Sequence, residues 1–131
     1  MNLSKKSRKE VGIIGENVVV EYLRRREFTL IGRNIARKTG ELDVIVRKEG
    51  VIHIVEVKAL LCHEFPSANK NEDTYNPGEN LHAYKIHKVA RTAEWYIANI
   101  GWEGEWQIDG ALVWLRERDG MARVKYLPQI L

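Results

Sequence analysis

The sequence predicts an α/β fold in which a mixed central sheet is flanked by helices, with elements in the order αβββαββ. Three patterns carry that expectation. Apolar residues recur at helical spacing in two stretches, Val11 to Leu23 and Ile86 to Ile97. Two strand-like runs, 42–47 and 51–58, lie on either side of a short turn. Two further β-rich runs, 106–116 and 121–127, close the chain around Gly120. With 131 residues, 44% hydrophobic and 30% charged, the chain has a globular composition and the length for one core, so residues 1–131 are read as one domain.

Ser7-Arg-Lys-Glu10 has the spacing of a capping box, in which each side chain satisfies the other residue's free backbone amide, and it marks the first helix start. Val11, Ile14, Val18 and Tyr22 are expected to form the buried stripe, widened by Val19 and Leu23. The helix should end between Arg24 and Glu27, before a short strand from Phe28 to Ile31. Gly40 punctuates the next boundary. Leu42, Val44 and Val46 then alternate with Asp43, Ile45 and Arg47, and Val51 to Lys58 runs back as the partner strand.

Residues 59–80 include Pro66, Pro77, Gly78 and several Asn, and carry no usable period. So long a loop is unusual in a compact domain. Residues 63–80 are therefore expected to be the most mobile internal segment and to border the active cleft. A second helix, 81–99, sets Ile86, Val89, Ala90, Ala93, Tyr96 and Ile97 at core spacing. Strand 106–116 carries Ile108, Leu112 and Trp114 on one face.

Composition narrows the function classes. No apolar run approaches the roughly 18 residues that span a bilayer, and the basic, polar N-terminus is followed by no signal-like apolar segment. The single cysteine, Cys62, excludes an internal disulfide and argues against a Cys/His zinc site. His53, His63, His82 and His87 have no metal-ligand spacing. These features point to the cytoplasm. Residues 1–38 hold ten Lys and Arg against four Glu, a net of +6, whereas 39–131 carry a net of −3. The clusters at Lys5, Lys6, Arg8 and Lys9, at Arg24 to Arg26, and at Arg33, Arg37 and Lys38 would attract a polyanion such as nucleic acid. The bland alternative, a solvated helix face with a basic tail, stays open on charge alone.

The candidate chemistry lies in the hairpin. If Glu49-Gly50 is a two-residue turn, Lys48 pairs with Val51 and facing residue numbers sum to 99. Asp43 then lies opposite Glu56, and Glu41 opposite Lys58, with Cβ atoms about 4.5–5.5 Å apart. One face would carry Glu41, Asp43, Glu56 and Lys58, and the other Leu42, Val44, Val55 and Val57. Facing carboxylates repel unless a shared proton or a divalent cation offsets the repulsion, and their hard oxygens suit Mg2+ or Mn2+. Lys58 would stabilise charge on a phosphate or orient a hydrolytic water. The alternative is a solvent-facing hairpin with an ordinary surface pair. The apolar run around Val-Glu-Val-Lys argues instead for burial, where unpaired charge is costly. Glu16, amid Ile13, Val19, Val20 and Leu23, either edges the core stripe or aims at a partner in the protein.

Gly40-Glu-Leu-Asp43-Val-Ile and His53-Ile-Val-Glu56-Val-Lys58 resemble the signature of the PD-(D/E)XK nuclease superfamily. Nearly the whole chain resembles the YraN-like family of small predicted endonucleases: Gly12-Ile-Ile-Gly15-Glu16, Tyr22-Leu23, Gly32-Arg-Asn34, Lys85, Lys88, Thr92-Ala93 and Ile108-Asp109 fall where that family has its motifs. The resemblance implies a restriction-endonuclease-like core that hydrolyses phosphodiesters with one or two divalent cations. Asp43 and Glu56 would be metal ligands with the Val57 carbonyl, Lys58 the catalytic lysine and Glu16 an accessory acid. The stretch Ala59-Leu-Leu-Cys-His63 departs from the family pattern and leaves the substrate path open.

Lys85, Lys88, Arg37 and Lys38 are the candidate nucleic-acid contacts, with a solvated helix face the alternative for the two lysines of the second helix. Trp102, Trp106 and Trp114 either stack on bases or pack at the core rim. Asp109 lies near the site or satisfies a buried strand end. The expected partner is nucleic acid, DNA foremost, with no membrane contact and a homodimer left open. Competing functions are a Holliday-junction-resolvase-like nuclease, a non-cleaving nucleic-acid-binding module, and a subunit of a repair assembly.

Overall fold

The computed structural model describes residues 2–66 and 83–131. Its elements are α1 (Arg8–Arg25), β1 (Thr29–Arg37), β2 (Gly40–Lys48), β3 (Val51–Cys62), α2 (Ala83–Asn99), β4 (Glu105–Arg116) and β5 (Ala122–Leu127). The strands form one five-stranded mixed sheet in the order β1-β2-β3-β4-β5. Only the β3–β4 pair among them is parallel, the connection that carries α2. Nothing in the period of these strands distinguishes a parallel neighbour from an antiparallel one.

One helix covers each face, because the central strands are apolar on both sides. Under α1 lie Val44, Val46, Val55, Ala111, Val113 and Leu115; under α2 lie Leu42, Ile45, Ile52, Ile54 and Ile108. The capping box forms as expected, with the Glu10 amide donating to Ser7 Oγ and the Ser7 amide to Glu10 Oε1, both at 3.1 Å. The buried line of α1 runs through Val11, Gly15, Val19 and Leu23, one step round from the expected stripe of Ile14, Val18 and Tyr22, which are half-buried. Gly15 is the cause: a Cβ there would stand 2.6 Å from Ala59 Cβ, so at this point the helix rests directly on the Ala59 methyl of β3.

Two strands outrun their expected bounds. β1 continues to Arg37 because pairing with β2, rather than an apolar period of its own, defines an edge strand. β3 continues through Cys62, where Ala59 to Cys62 pair with Val113 to Arg116 on β4, so the loop does not begin at residue 59. The N-terminus is no free tail: Leu3 is fully buried, and its amide donates to the Glu117 carbonyl at 2.6 Å. Of the segment 63–80, residues 67–80 lie outside the described residues. Residues 63–66 are tied to the end of the sheet, with Arg118 bonded to Glu64 and Arg123 Nη1 donating to the Pro66 carbonyl at 2.7 Å. Among the described residues no helix is long and apolar enough to cross a membrane.

Because Gly15 meets Ala59 backbone-close, Gly15→Ala should lower unfolding stability by about 1–3 kcal/mol through overpacking. Ala59→Gly should restore part of the loss, as read from urea midpoints of the two single variants and the double.

Candidate active site

The two-residue turn forms, with Glu49 and Gly50 at φ of 51° and 78°, the positive pair that a type I′ hairpin requires. It sets the expected register: Lys48 faces Val51, Ile45 faces Ile54 and Val44 faces Val55. Beyond Val44 the backbone pairing of β2 with β3 ends, and a side chain continues it. Asp43 Oδ2 accepts the Val57 amide hydrogen at 2.9 Å. Asp43 therefore stands at the mouth of the hairpin, where the two strands part.

The alternation of β2 changes at this residue. Leu42 packs under α2 and Val44 under α1, so the expected shared face of Leu42 with Val44, Val55 and Val57 is corrected. On the neighbouring strand Asn34 takes the left-handed conformation, φ 51°, and the β1–β2 ladder passes over Asn34 and Asp43 in unchanged register, from Arg33–Val44 to Ile35–Leu42. Asparagine is among the few non-glycine residues that tolerate this conformation. Alternation with Val55 and Val57, which pack under α1, puts Glu56 and Lys58 on the face of Ile52 and Ile54. Glu56 is 1% exposed, while Lys58 is half-buried.

The kink gathers charge on the α1 side. Arg33 Nη2 lies 3.6 Å from Glu16 Oε1. With its amide oriented to satisfy the network, Asn34 donates to Glu16 Oε1 at 3.0 Å and to Glu41 Oε1 at 2.9 Å. Burial, then the Asp43 carboxylate, raise the pKa of Glu16 above its ordinary 4.5, Arg33 and Asn34 oppose the shift, and Glu41 adds to it. Glu16 is thus aimed at partners in the protein. Arg33 was legible as part of a basic cluster and Asn34 only as part of a motif; the role of Asn34 depends on a backbone conformation that sequence period does not reveal.

The second helix docks directly on the Gly-Glu-Leu-Asp segment. Thr92 is fully buried; its hydroxyl lies 2.7 Å from that of Thr39 and donates to the Lys88 carbonyl at 3.1 Å. Gly40, at φ 150°, meets this helix so closely that a Cβ would sit 3.4 Å from Thr92 Oγ1. Lys88 is exposed beside that contact, and the Lys85 side chain lies outside the described residues. Arg37 stacks its guanidinium over the Trp95 ring at 4.0 Å, while Lys38 is exposed in the β1–β2 turn. Trp102 and Trp106 pack against the α2 core.

Asp109 is fully buried and satisfies a strand end. Its Oδ1 accepts from Gln107 Nε2 and the Gln129 amide, both at 2.8 Å; its Oδ2 lies 2.6 Å from His53 Nδ1 and accepts from the Tyr126 hydroxyl. Burial and this carboxylate push the Tyr126 phenol above its usual range. His53 bears no metal-ligand spacing in sequence, and only the fold brings it to Asp109.

As a cation site, Glu16, Glu41 and Asp43 offer hard carboxylate oxygens on the α1 side and Glu56 offers its own across β3; the pKa of Glu16 is raised first by burial and then by Asp43, and a cation would relieve the second cause. Among the described residues no three His, Cys, Asp or Glu converge as a ready-made metal group. An ion held by one or two carboxylates and several waters is the arrangement Mg2+ commonly adopts.

The raised pKa of Glu16 sets a pH dependence. As pH falls, the folded state takes up this proton before the unfolded chain does. The cost of ionised Glu16 is therefore fully present above the raised value and is relieved on descending towards 4.5. Glu16→Gln should melt above the parent at pH 7, and the gap should close as the pH approaches 4.5, measured by calorimetric melting across that range.

Comparison with known proteins follows the same residues. The profile described as "Uncharacterised protein family UPF0102" matches residues 15–118, from Gly15 beside Glu16 through the hairpin to β4. A UPF0102 protein of Campylobacter jejuni is 31% identical over 98 residues, covering 75% of this chain and 78% of its own. One from Campylobacter lari is 30% identical over 98 residues, with the same coverage of both chains. One from Campylobacter fetus is 33% identical over 99 residues, again covering 75% and 78%. The protein therefore belongs to the UPF0102 family, the YraN-like group that its motifs resemble.

Proposed function

We propose that this protein is a metal-dependent nuclease of the PD-(D/E)XK type, hydrolysing phosphodiester bonds in DNA with Mg2+ or Mn2+. The observation that carries the reading is the buried carboxylate of Glu56, two residues before Lys58, on the strand whose Val57 amide is held by Asp43. A carboxylate at 1% exposure in an apolar strand is costly unless its charge is compensated, and a bound cation is one way to compensate it.

In this reading Asp43 and Glu56 hold the ion, with the Val57 carbonyl beside them. When bound, the ion supplies an activated water and neutralises charge on the scissile phosphate. Lys58 places its ammonium against the phosphate oxygens, where negative charge grows during in-line attack. Glu16, whose proton affinity is raised by burial and by Asp43, takes up or releases a proton at the edge of the site. Arg33 and Asn34 hold Glu16 in position.

The test is cleavage of linear, single-stranded and branched DNA with Mn2+, beside calorimetric Mn2+ titration. Asp43→Ala and Glu56→Ala should weaken ion binding and abolish cleavage. Lys58→Ala should keep ion binding and lose about 10²–10³-fold in rate, the scale of one lost charge-stabilising donor. Cleavage by Lys58→Ala at the parental rate, or unchanged ion binding by the acidic variants, would refute the assigned roles. A parent that neither binds divalent ions nor cuts any substrate would leave a nucleic-acid-binding module.

A further inference from the structure

Gly12 stands in the second turn of α1, and a Cβ added there would meet nothing within 4 Å. Its neighbour Gly15 is demanded by contact with Ala59; Gly12 is demanded by no contact at all. Glycine is among the least favourable residues inside a helix, because it loses the most backbone freedom on folding. Its missing side chain borders a space. That space is a groove of about 550 Å³ between the start of α1 and the second half of β3, walled by Lys6, Arg8, Val11 and Gly12 on one side and residues 57–61 on the other.

The lining is apolar at depth and cationic above. Val11, Val57, Ala59 and Leu61 belong to the core under α1, whereas Lys6 and Arg8 bring two cations and the lining holds no carboxylate. Lys6 has Glu10 at 3.6 Å, but both side chains are at least 41% exposed, and so solvated a pair yields to a stronger anion. The groove runs into the candidate site. Val57, in its wall, holds Asp43, and Glu16 follows Gly12 by one helical turn, roughly 6 Å along the axis.

We infer that this groove seats a single strand of nucleic acid, with backbone phosphates against Lys6 and Arg8 and a sugar or base over Gly12. The volume is that of a small-ligand pocket, room for a nucleotide and too little for a duplex. Apolar surface beneath and cations along the rim are what a strand without sequence preference requires. The path of that strand towards Asp43 and Lys58 rests on the nuclease reading; the binding itself does not.

The two are separated by measuring binding in EDTA, where no metal chemistry runs. The probe is a fluorescently labelled single-stranded oligodeoxynucleotide, with the same sequence as a duplex beside it, followed by anisotropy at several salt concentrations. Gly12→Ala should melt higher than the parent and bind within about twofold of it, since a methyl group leaves the groove open and helix propensity rises. Gly12→Glu, which puts a carboxylate in the groove, should weaken single-strand binding by about tenfold or more. The pair Lys6→Glu and Arg8→Glu, at exposed positions, should do the same and flatten the salt dependence, whether or not Gly12→Glu folds. Parental affinity in a folded Gly12→Glu and in the charge-reversed pair, or tighter binding of the duplex than of the single strand, would overturn the proposal. Binding that these variants abolish, in a protein that cuts nothing with Mn2+, leaves the groove standing and removes the nuclease reading. Equal cleavage of single strands by parent and Gly12→Glu does the reverse.

Discussion

The turn at Glu49 and Gly50 is the constraint on which the site depends. Its two positive φ angles match the twist of the strands that it joins, and they set Lys48 against Val51. A slip of one residue would exchange the faces of both strands. Here both faces are packed, Val44, Val46 and Val55 under α1 and Ile45, Ile52 and Ile54 under α2, so a slip would have to rebuild two cores together. The turn chooses the register and the cores enforce it. Glu56 and Lys58 inherit their side of the sheet, and Asp43 its place at the end of the ladder.

From this hairpin the rest is built outward. β3 is bonded to β2 on one side and to β4 along its whole length on the other. The four donors on Asp109 bind β3, β4, β5 and the C-terminal segment into one unit. Each donor lies close enough to satisfy a fully buried carboxylate, which would otherwise be costly to keep. Aromatic packing closes the network from outside, with Phe28 edge-on to His53 and Tyr22 stacked on Tyr126. This buried carboxylate belongs to the framework, in contrast to Glu16, whose neighbours include two further carboxylates.

Those two acids differ in how their charge is met. Asp109 has four hydrogen-bond partners and a structural reason to be buried. Glu16 is held by Arg33 and Asn34, while burial first and then the Asp43 and Glu41 carboxylates oppose its ionisation. Like charges gathered at the mouth of a hairpin, beside open groove space bordered by Gly12, are poor economy for a scaffold. A cation bound there would offset their repulsion.

The sequence by itself determined what local chemistry can encode. The capping box at Ser7 and Glu10 names its own geometry, Glu49-Gly50 names a two-residue turn, and from that turn the facing residues follow by counting. The Gly-Glu-Leu-Asp and Glu-x-Lys motifs placed the chain in its family before any coordinates. Tertiary structure alone decided the rest. Period assigns residues to alternate faces but cannot foresee where alternation fails, and it fails at Asp43, beside a left-handed Asn34 on the neighbouring strand. Leu60 and Leu61 are apolar without a period, so only their partners on β4 make them a strand. The buried line of α1 was decided by how near its backbone comes to Ala59. His53 and Asp109 are 56 residues apart, and their bond exists because two strands distant in sequence lie side by side. Periodicity is a property of single elements; contact between elements, and the charge it brings together, is a property of the folded whole.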